Sequence, residues 1–565
     1  MVKKEYERWL QHPGLDPLHK EILEKMDEAT KQDSFYTNLT FGTAGMRGLL
    51  GLGPNRMNLY TLRKANQGFL QYLCNTYPEV KEKGIVIGYD NRHMSYEFAL
   101  DSAKLFAAHG IRTYLFDALR PTPLLSFAVR YYHCLGGIMI TASHNPKEYN
   151  GYKLYDEQGC QLVPALAKQV IQYVEAVEDA LAIQVQPTKE QLNTIIYIGK
   201  EVDEAYYKEV LAMQFYPDRK DRACKIVFSS QHGTGTIAIQ EVLQRAGYDV
   251  TLVKEQCYPD PDFTHISSAN PEEIESYTLA LEYAKKEAAD LVLVCDPDAD
   301  RMGAAIRHQE EYFILTGNQC GILLMEYLFS QMKERGCLPE NAQMLHTIVT
   351  GDLGIKVAQS YGITCEKTLT GFKYIGDRIA KNEKEGTYTC VFGYEESHGY
   401  LIKSFVRDKD APQACLILAE AVSYYKQQGK DLIDVLDELY KRHGLYLDAA
   451  TSMTFSGQAG LEKMEYFLQL LRKKDLQEIG GYQVVQREDY HIGKRFSGDK
   501  EVDIIDIPKA NVLKYYLSDG SWIAIRPSGT EPKCKFYYCI KGSNKKEVEE
   551  KAVFFQKEIE QYFKD

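Results

Sequence analysis

Three aspartates at alternate positions are the sharpest chemical signal in this 565-residue sequence. Asp296, Asp298 and Asp300 directly follow the apolar run 291–295, which is typical of a buried strand. Carboxylates this close together repel one another unless a cation lies among them, and hard oxygen ligands suit Mg²⁺. An EF-hand loop is excluded because its sixth position, which needs Gly, holds Arg301. We therefore predict a magnesium site here, with a solvated acidic turn as the alternative.

A serine on a turn is the second signal. Residues 137–140 form a short apolar run, and the sequence Thr-Ala-Ser-His-Asn-Pro follows it at 141–146. Such a turn lifts the Ser143 hydroxyl out of the end of a sheet, where nucleophiles and phosphoserines commonly lie in α/β enzymes. The alternative is a turn serine that caps the next segment. Lys153, which follows the next glycine, could contact a phosphoryl group or a proton, or could be a surface lysine.

Two further loops have the composition of a binding site for a sugar phosphate. Residues 41–48 contain three glycines, and Arg47 among them is a possible anion contact. The alternative is a plain glycine loop with a solvated arginine. Residues 393–399 carry Glu395, Glu396 and Ser397 beyond a predicted strand, which suits vicinal sugar hydroxyls because each offers a donor and an acceptor. A surface acidic turn is the alternative there.

Near the end of the chain, residues 526–533 combine two cations, two hydroxyl side chains and a glycine. This composition predicts a phosphate cradle formed by Arg526, Ser528, Gly529 and Thr530. The glycine-threonine loop 232–236 lacks the Gly-Lys-Ser/Thr ending of a nucleotide P-loop, and we interpret it as mainly structural. Without a general ATP-binding loop, the phosphate must come from the substrate itself. Two phosphate positions imply a substrate that is phosphorylated at one end and attacked at the other.

Composition limits the class of protein. The net charge of −12 argues against broad nucleic-acid binding, which needs a basic surface, but a local basic pocket for a small anion remains compatible with it. No signal peptide or membrane-spanning run is visible, and no obligate protein partner is evident. The 13 cysteines are odd in number and scattered, so we expect reduced thiols in a cytoplasmic protein.

The elements that must position these residues follow a strand–helix rhythm. After an amphipathic helical arm over residues 1–35, apolar runs and helical patterns alternate as in mostly parallel sheets covered on both faces. The last 120 or so residues predict an α+β unit with a hairpin around the turn 518–520. We predict an α/β protein of four domains around a central cleft: three similar mixed α/β units and a smaller C-terminal α+β domain. The expected boundaries are 1–200, 201–317, 318–445 and 446–565.

The four loops 141–146, 296–301, 393–397 and 526–530 resemble the signature loops of the α-D-phosphohexomutases, and they occur in that family's order. The loop 41–48 and the chain length are similar to the branch of phosphoglucomutases that also includes phosphopentomutases and glucose 1,6-bisphosphate synthase. The resemblance implies an isomerase that interconverts glucose 1-phosphate and glucose 6-phosphate through a phosphoserine enzyme. It also implies Mg²⁺ as cofactor and glucose 1,6-bisphosphate as intermediate and activator. Mannose and pentose phosphates remain alternative substrates.

The resemblance also implies a role for each candidate residue. Mg²⁺ would be held by Asp296, Asp298, Asp300 and the phosphate on Ser143. The expected catalytic residues are Ser143, His144, Lys153 and Lys409. The expected substrate-binding residues are Arg47, Arg301, Thr370, Gly371, Glu395, Ser397, Arg526, Ser528, Gly529 and Thr530. The general base is left open between His144, Lys153 and His398, because all three are reasonable by residue type.

Two rival interpretations remain from the sequence. A strand followed by Asp-x-Asp is the hallmark of haloacid-dehalogenase-type phosphatases, in which Asp296 would be the nucleophile. That family wants Thr or Val two residues after the second Asp, where this chain has Asp300. The other rival is a sugar-phosphate sensor that kept the fold without turnover, which the presence of Ser143 and all three aspartates disfavours.

Overall fold

The computed structural model describes residues 2–42, 45–219, 222–455, 457–473, 476–498, 500–527 and 533–561. It divides into two compact units. The first contains residues 1–320, 339–342 and 372–431, and the second contains residues 321–338, 343–371 and 432–565. None of the described helices is both long and apolar enough to cross a membrane.

The N-terminal region, where we predicted an amphipathic helical arm, consists of three short helices. They are Val2–Gln11, Pro17–Glu24 and Glu28–Phe35. The second and third start at aspartate caps: the Asp16 carboxylate accepts the N–H of Leu18, and the Asp27 carboxylate accepts that of Thr30. These caps begin new helices and so interrupt the helical pattern read from the sequence.

The first sheet of the first unit has four parallel strands and an antiparallel edge. Its strands, in spatial order, are Met46–Leu49, Tyr149–Tyr155, Gly137–Ile140, Ile85–Tyr89, Thr113–Phe116 and Ile195–Ile198. The first two run antiparallel to their neighbours and the other four are parallel. Its longer helices are Leu59–Thr76, Ser95–Ala108, Thr122–Tyr131 and Pro164–Glu175. The strand that leads to Ser143 is therefore interior, and all four of its residues are buried.

The second sheet positions the aspartates. Its strands, in spatial order, are Glu311–Ile314, Met302–His308, Leu291–Cys295, Lys225–Ser229 and Asp249–Leu252. Leu291–Cys295 is the central strand and is buried at every position, as its continuous apolar run predicts. Helices Lys200–Leu211, Gly235–Arg245 and Thr278–Glu287 belong to the same region.

Further elements of the first unit carry the expected sugar loop and Lys409. Strand Thr389–Glu395 pairs antiparallel with Gly399–Leu401, so residues 396–398 form the turn of a hairpin. Helix Phe372–Glu385 precedes this hairpin. Helix Ala411–Lys426 follows it, and its N-terminus is capped by the Asp410 side chain.

The second unit includes the C-terminal α+β region. Strands Ala342–Thr347 and Thr364–Thr368 pair in parallel, and helices Gly317–Glu334, Leu353–Ser360 and Leu432–His443 accompany them. The C-terminal antiparallel sheet has, in spatial order, strands Leu445–Thr454, Lys533–Gly542, Trp522–Pro527, Leu513–Leu517, Tyr482–Asp489, Lys494–Ser497 and Lys500–Ile504, with Glu478–Ile479 beside Tyr482–Asp489. Helices Gly457–Lys473 and Lys545–Gln561 complete it. The predicted hairpin at 518–520 is confirmed, and so is the mixed α/β fold class. The four domain boundaries stay a prediction.

A buried lysine in the C-terminal sheet makes stability depend on pH. The Lys514 ammonium donates to the Ile348 carbonyl at 2.7 Å and lies 3.6 Å from the centroid of the Trp522 ring. Burial, with the charge of Lys367 acting in the same direction, lowers the pKa of Lys514 to about 7 from its ordinary 10.5. Above about pH 7 the unfolded chain therefore binds a proton at this position that the folded chain releases.

We expect the free energy of unfolding of the wild type to rise relative to Lys514→Met between about pH 7 and about pH 10, by up to about 1.4 kcal/mol per pH unit. Urea unfolding of both proteins across this range measures the difference. Lys541→Met, at an exposed lysine of the same sheet, is the matched control. A difference that stays constant with pH at Lys514 would contradict the prediction.

Candidate active site

Ser143 lies on a tight turn that aims its hydroxyl at the aspartates. The residue is buried, its backbone adopts a left-handed conformation with φ of +52°, and its N–H donates to Thr141 Oγ1 at 2.9 Å. Its Oγ donates to Asp296 Oδ2 at 2.8 Å and lies 3.1 Å from His144 Nδ1. A left-handed backbone is unusual for serine, and it indicates a turn held in place by its surroundings.

The three aspartates form a buried cluster at the end of the central strand. One carboxylate oxygen from each lies within 4.8 Å of those of the other two, and all three residues are buried. Asp296 Oδ1 accepts the backbone N–H groups of Asp300 and Arg301. Among the described residues, Oδ1 of Asp298 and Oδ1 of Asp300 have no hydrogen-bond partner. Orphaned carboxylate oxygens in a buried cluster are the donor set that a divalent cation needs, so these residues fit Mg²⁺.

The loop 232–236 braces the aspartate loop from the side. The N–H of Thr234 donates to the Pro297 carbonyl at 2.7 Å, and its hydroxyl donates to the same oxygen at 3.0 Å. A Cβ at Gly233 would lie 2.3 Å from the Pro297 backbone, so only glycine fits there. These contacts agree with the structural role that we assigned to this loop.

Two lysines far apart in sequence converge on the cluster. Lys153 Nζ lies 2.8 Å from Asp298 Oδ2 and 3.5 Å from Asp300 Oδ2, whereas Lys409 Nζ lies 3.0 Å from Asp300 Oδ2. Burial on its own would raise the pKa of Asp298, but the charges of Lys153 and Lys409 and the hydrogen bonds from Lys153 and Asp296 together outweigh it, and the pKa falls below its usual range. Burial would likewise lower the pKa of Lys409, but Asp300 and Asp408 raise it instead. Both lysines are therefore cationic next to the aspartates.

The two arginines flank the turn and the metal loop. Arg47 does not lie in an open glycine loop, as the sequence indicated, but in strand Met46–Leu49, where it pairs with Gly151. Its exposed guanidinium donates to Asn145 Oδ1 at 2.7 Å, which places it beside the serine turn. Arg301 pairs with Glu272 at 2.9 Å.

The hairpin that carries Glu395 adjoins the metal loop. The His398 carbonyl accepts the N–H of Met302 at 3.0 Å, and Gly399 forms a β-bridge with Arg301. Glu395 is buried and burial raises its pKa, although the charges of Lys409 and Arg301 oppose the shift. Sugar recognition by Glu395 and Ser397 stays a prediction.

The structure separates the three candidates for the general base. Burial lowers the pKa of His144 well below its ordinary value, so its ring is neutral near pH 7 and lies 3.1 Å from Ser143 Oγ. Lys153 is held as a cation by two aspartates. His398 is buried in the hairpin turn, where burial lowers its pKa to about 4. Within the part of the chain that the structure describes, His144 is the candidate that contacts the nucleophile.

The remaining candidates belong to the second unit. Thr370 and Gly371 lie between strand Thr364–Thr368 and the following helix, and Gly371 has a φ of +115°. Arg526 lies near the end of strand Trp522–Pro527, with Nη1 3.5 Å from the Tyr537 hydroxyl. Ser528, Gly529 and Thr530 lie outside the described residues.

Sequence reasoning missed two side chains that act on the same loops. Arg92 bonds the carbonyls of the serine turn, and Thr122 Oγ1 donates to Asp298 Oδ2 at 3.0 Å. The Asp90-Asn91-Arg92 sequence follows the buried strand Ile85–Tyr89, just as the serine and aspartate loops follow theirs. Its position after a buried strand could therefore have identified Arg92 from the sequence. Thr122 is the first residue of a helix, and its sequence context gave no indication of a role in the site.

Comparison with known proteins assigns the family. Four family models match in order: phosphoglucomutase/phosphomannomutase alpha/beta/alpha domains I, II and III at residues 38–180, 204–309 and 316–443, and the C-terminal domain at 471–556. The chain is 39% identical to a phosphoglucomutase of Staphylococcus epidermidis, over 93% of this chain and 95% of the relative. It is 37% identical to a phosphoglucomutase of Staphylococcus haemolyticus, over 96% and 97%.

A solved structure agrees on the fold. The crystal structure of a putative phosphomannomutase from Thermus thermophilus superposes with a TM-score of 0.68 at 22% identity, covering 94% of this chain and all of the other. The four family models and the relatives matched over nearly the whole length lead to one conclusion. The chain belongs to the phosphoglucomutase/phosphomannomutase family and is a mutase of the isomerase class.

Proposed function

We propose that this mutase interconverts glucose 1-phosphate and glucose 6-phosphate through a phosphate on Ser143 and a glucose 1,6-bisphosphate intermediate, and that it needs Mg²⁺. The observation that carries the proposal is the 2.8 Å contact of Ser143 Oγ with Asp296, inside a carboxylate cluster with two orphaned oxygens. The two staphylococcal relatives, both named phosphoglucomutase, support glucose as the sugar.

The proposed reaction consists of two transfers, and each moves a different phosphoryl group. In the first transfer, the bond between phosphorus and Ser143 Oγ breaks and a bond to the 6-oxygen of glucose 1-phosphate forms. The 6-hydroxyl loses its proton, and Ser143 Oγ gains one to become a hydroxyl again. The bisphosphate then turns over, the bond between its 1-oxygen and phosphorus breaks, and Ser143 Oγ takes that phosphoryl group as glucose 6-phosphate leaves. Ser143 gives up its hydroxyl proton in this second step, and the neutral His144 ring at 3.1 Å is placed to accept it. The 1-oxygen gains a proton in exchange and leaves as the hydroxyl of glucose 6-phosphate.

The chain's own charges suit this chemistry. Asp296, Asp298 and Asp300, with an oxygen of the Ser143 phosphate, would hold Mg²⁺, which neutralises charge on the phosphoryl oxygens when bound. Lys153 and Lys409 orient the carboxylates of Asp298 and Asp300.

The substrate-binding roles are part of the proposal. Arg47 and Arg301 would bind phosphate oxygens, and Glu395 and Ser397 would bind sugar hydroxyls in either orientation. Thr370 and Gly371 would also bind the substrate. The loop of Arg526, Ser528, Gly529 and Thr530 would hold the phosphate that does not react.

One arrangement weighs against the phosphatase alternative. A nucleophilic Asp296 would need a free oxygen, yet Oδ2 accepts the Ser143 hydroxyl and Oδ1 accepts two backbone N–H groups. Ser143 is therefore the better carrier of the phosphoryl group.

Phosphopeptide mapping and a coupled assay test the proposal together. The wild-type protein treated with glucose 1,6-bisphosphate should gain one phosphoryl group, mapped to Ser143, and should form glucose 6-phosphate from glucose 1-phosphate only with Mg²⁺. The values of kcat/KM for the 1-phosphates of glucose, mannose, ribose and deoxyribose should be highest for glucose. An acid-labile phosphate on Asp296 would contradict the phosphoserine. A higher kcat/KM for the 1-phosphate of another sugar would contradict the preference for glucose.

A further inference from the structure

The buried Arg92 side chain binds backbone carbonyls of the serine turn. It follows strand Ile85–Tyr89, which pairs in parallel with the strand leading to Ser143, and its side chain is completely buried. Nη2 donates to the Ser143 carbonyl at 2.6 Å and to the Asn145 carbonyl. Nη1 donates to the Pro146 carbonyl at 2.8 Å and to the Tyr149 carbonyl at 3.0 Å. One guanidinium group thus satisfies four carbonyls between Ser143 and the first residue of the next strand, Tyr149.

The guanidinium is itself held in one orientation. Its Nε lies 3.3 Å from Asp90 Oδ2, and both side chains are completely buried. Asp90 Oδ1 accepts the Arg92 N–H at 2.9 Å and the Ser95 hydroxyl at 2.6 Å. The Phe263 ring packs against the other side, with its centroid 5.1 Å from Arg92 Cζ. A planar cation fixed on several sides is a rigid template for the backbone that it bonds.

The Arg92 guanidinium bonds the residue whose backbone conformation is unusual. The Ser143 backbone is left-handed, and its Oγ reaches Asp296 only while the peptide keeps that orientation. Arg92 holds the carbonyl of the same residue, and Thr141 holds its N–H, so the backbone of Ser143 is fixed on both sides. A lysine could not replace the arginine, because an ammonium lacks the planar fork of donors that spans four oxygens.

We propose that Arg92 is a positioning residue that sets the Ser143 hydroxyl in line for phosphoryl transfer. This inference rests on the proposed function, because it concerns the rate of transfer to and from Ser143. The Arg92 side chain has no exposed surface, so it acts through the turn and not on the substrate. Its loss should therefore lower kcat and leave KM unchanged.

Arg92→Lys and Arg92→Ala test the proposal in the full-length protein with Mg²⁺. We expect kcat to fall about 100-fold in Arg92→Ala, since displacing a reacting group by an ångström has an effect of that order, with KM within about twofold of wild type. Arg92→Lys should keep the charge and still lose most of the rate. Guanidinium ion added to Arg92→Ala should raise kcat, whereas ethylammonium should not, because only guanidinium reproduces the fork of donors.

Arg222 offers a matched control in the same unit. It is buried, and it donates to the carbonyls of Ala246 at 2.9 Å and Tyr216 at 2.8 Å. Like Arg92 it also lies near a carboxylate and over an aromatic ring, Glu420 at 3.8 Å and Tyr248 at 5.2 Å. Arg222→Lys should lower the melting temperature as Arg92→Lys does, yet keep kcat within about twofold of wild type.

Three results would overturn the inference: a wild-type kcat in folded Arg92→Lys, a loss of activity carried by KM, or an equal loss of kcat in Arg222→Lys. If Arg92→Ala does not fold, the kcat of Arg92→Lys tests the inference, and its melting temperature shows that this variant is folded. Phosphate mapping on the wild type separates this inference from the proposed function. A wild type without phosphate on Ser143 overturns both. A phosphorylated wild type with an unimpaired Arg92→Lys overturns only the role of Arg92.

Discussion

Replacing Ser143 with alanine should abolish phosphoryl transfer, with kcat reduced by roughly 10⁴-fold or more because no other group can carry the phosphate. In the structure the Ser143 hydroxyl makes the contact with Asp296, and alanine has no oxygen to replace it. The variant should also take up no phosphoryl group from glucose 1,6-bisphosphate. A coupled assay for glucose 6-phosphate and intact-protein mass spectrometry measure the two effects independently.

A second buried serine of the same domain provides the control. Ser102 donates to the Phe98 carbonyl at 2.7 Å and accepts from Asn66 at 2.8 Å, within helix Ser95–Ala108. Ser102→Ala should lose about 1 kcal/mol of stability, because it leaves one buried donor unpaired, and should keep its activity. Ser143→Ala protein that still gains a phosphate would refute the phosphoserine, and equal losses of activity in both variants would point to misfolding.

The strands that bear the site could be predicted because they are buried on both faces. Leu291–Cys295 occupies the bounds that its apolar run predicts. A strand covered by helices on both sides reads as a continuous apolar run, so its ends are sharp in the sequence. The edge strand Ile195–Ile198 was missed, although its sequence Ile-Ile-Tyr-Ile is a continuous apolar run. It is only four residues long, and its pairing with Thr113–Phe116 is a tertiary contact that the sequence does not show.

Each loop of the site could be predicted separately from the sequence, but the contacts between residues of different loops could not. Lys153 and Asp298 are 145 positions apart in the chain, and their 2.8 Å contact depends on how the two sheets of the first unit pack. Arg47 was expected in an open loop, because glycine content cannot distinguish a loop from a short strand whose partner, Tyr149–Tyr155, lies a hundred residues away. Local composition therefore predicted which residues are chemically useful, and tertiary packing decided which of them meet.

Asp298 is the aspartate on which the metal prediction depends most. Its Oδ2 is bonded to Lys153 and Thr122, which fixes the carboxylate, and its Oδ1 has no hydrogen-bond partner among the described residues. Asp298→Asn keeps the shape but removes the charge that a hard cation needs. We expect kcat to fall on the order of 1,000-fold at saturating glucose 1-phosphate, comparable with losing a main electrostatic contact of a transition state.

Thermal unfolding gives a readout of the metal site that does not depend on turnover. Mg²⁺ at 100 times its dissociation constant should stabilise the wild type by about 2.7 kcal/mol, because a ligand bound only to the folded state shifts the equilibrium. Asp298→Asn should lose most of this increase. Asp203→Asn, at a buried aspartate paired with Arg120 at 2.8 Å, should keep both the increase and the activity. Near-normal rates in Asp298→Asn, or equal stabilisation of both variants by Mg²⁺, would refute the assignment of Asp298 as a metal ligand. Either result would mean that the unpartnered oxygen of its carboxylate binds no cation.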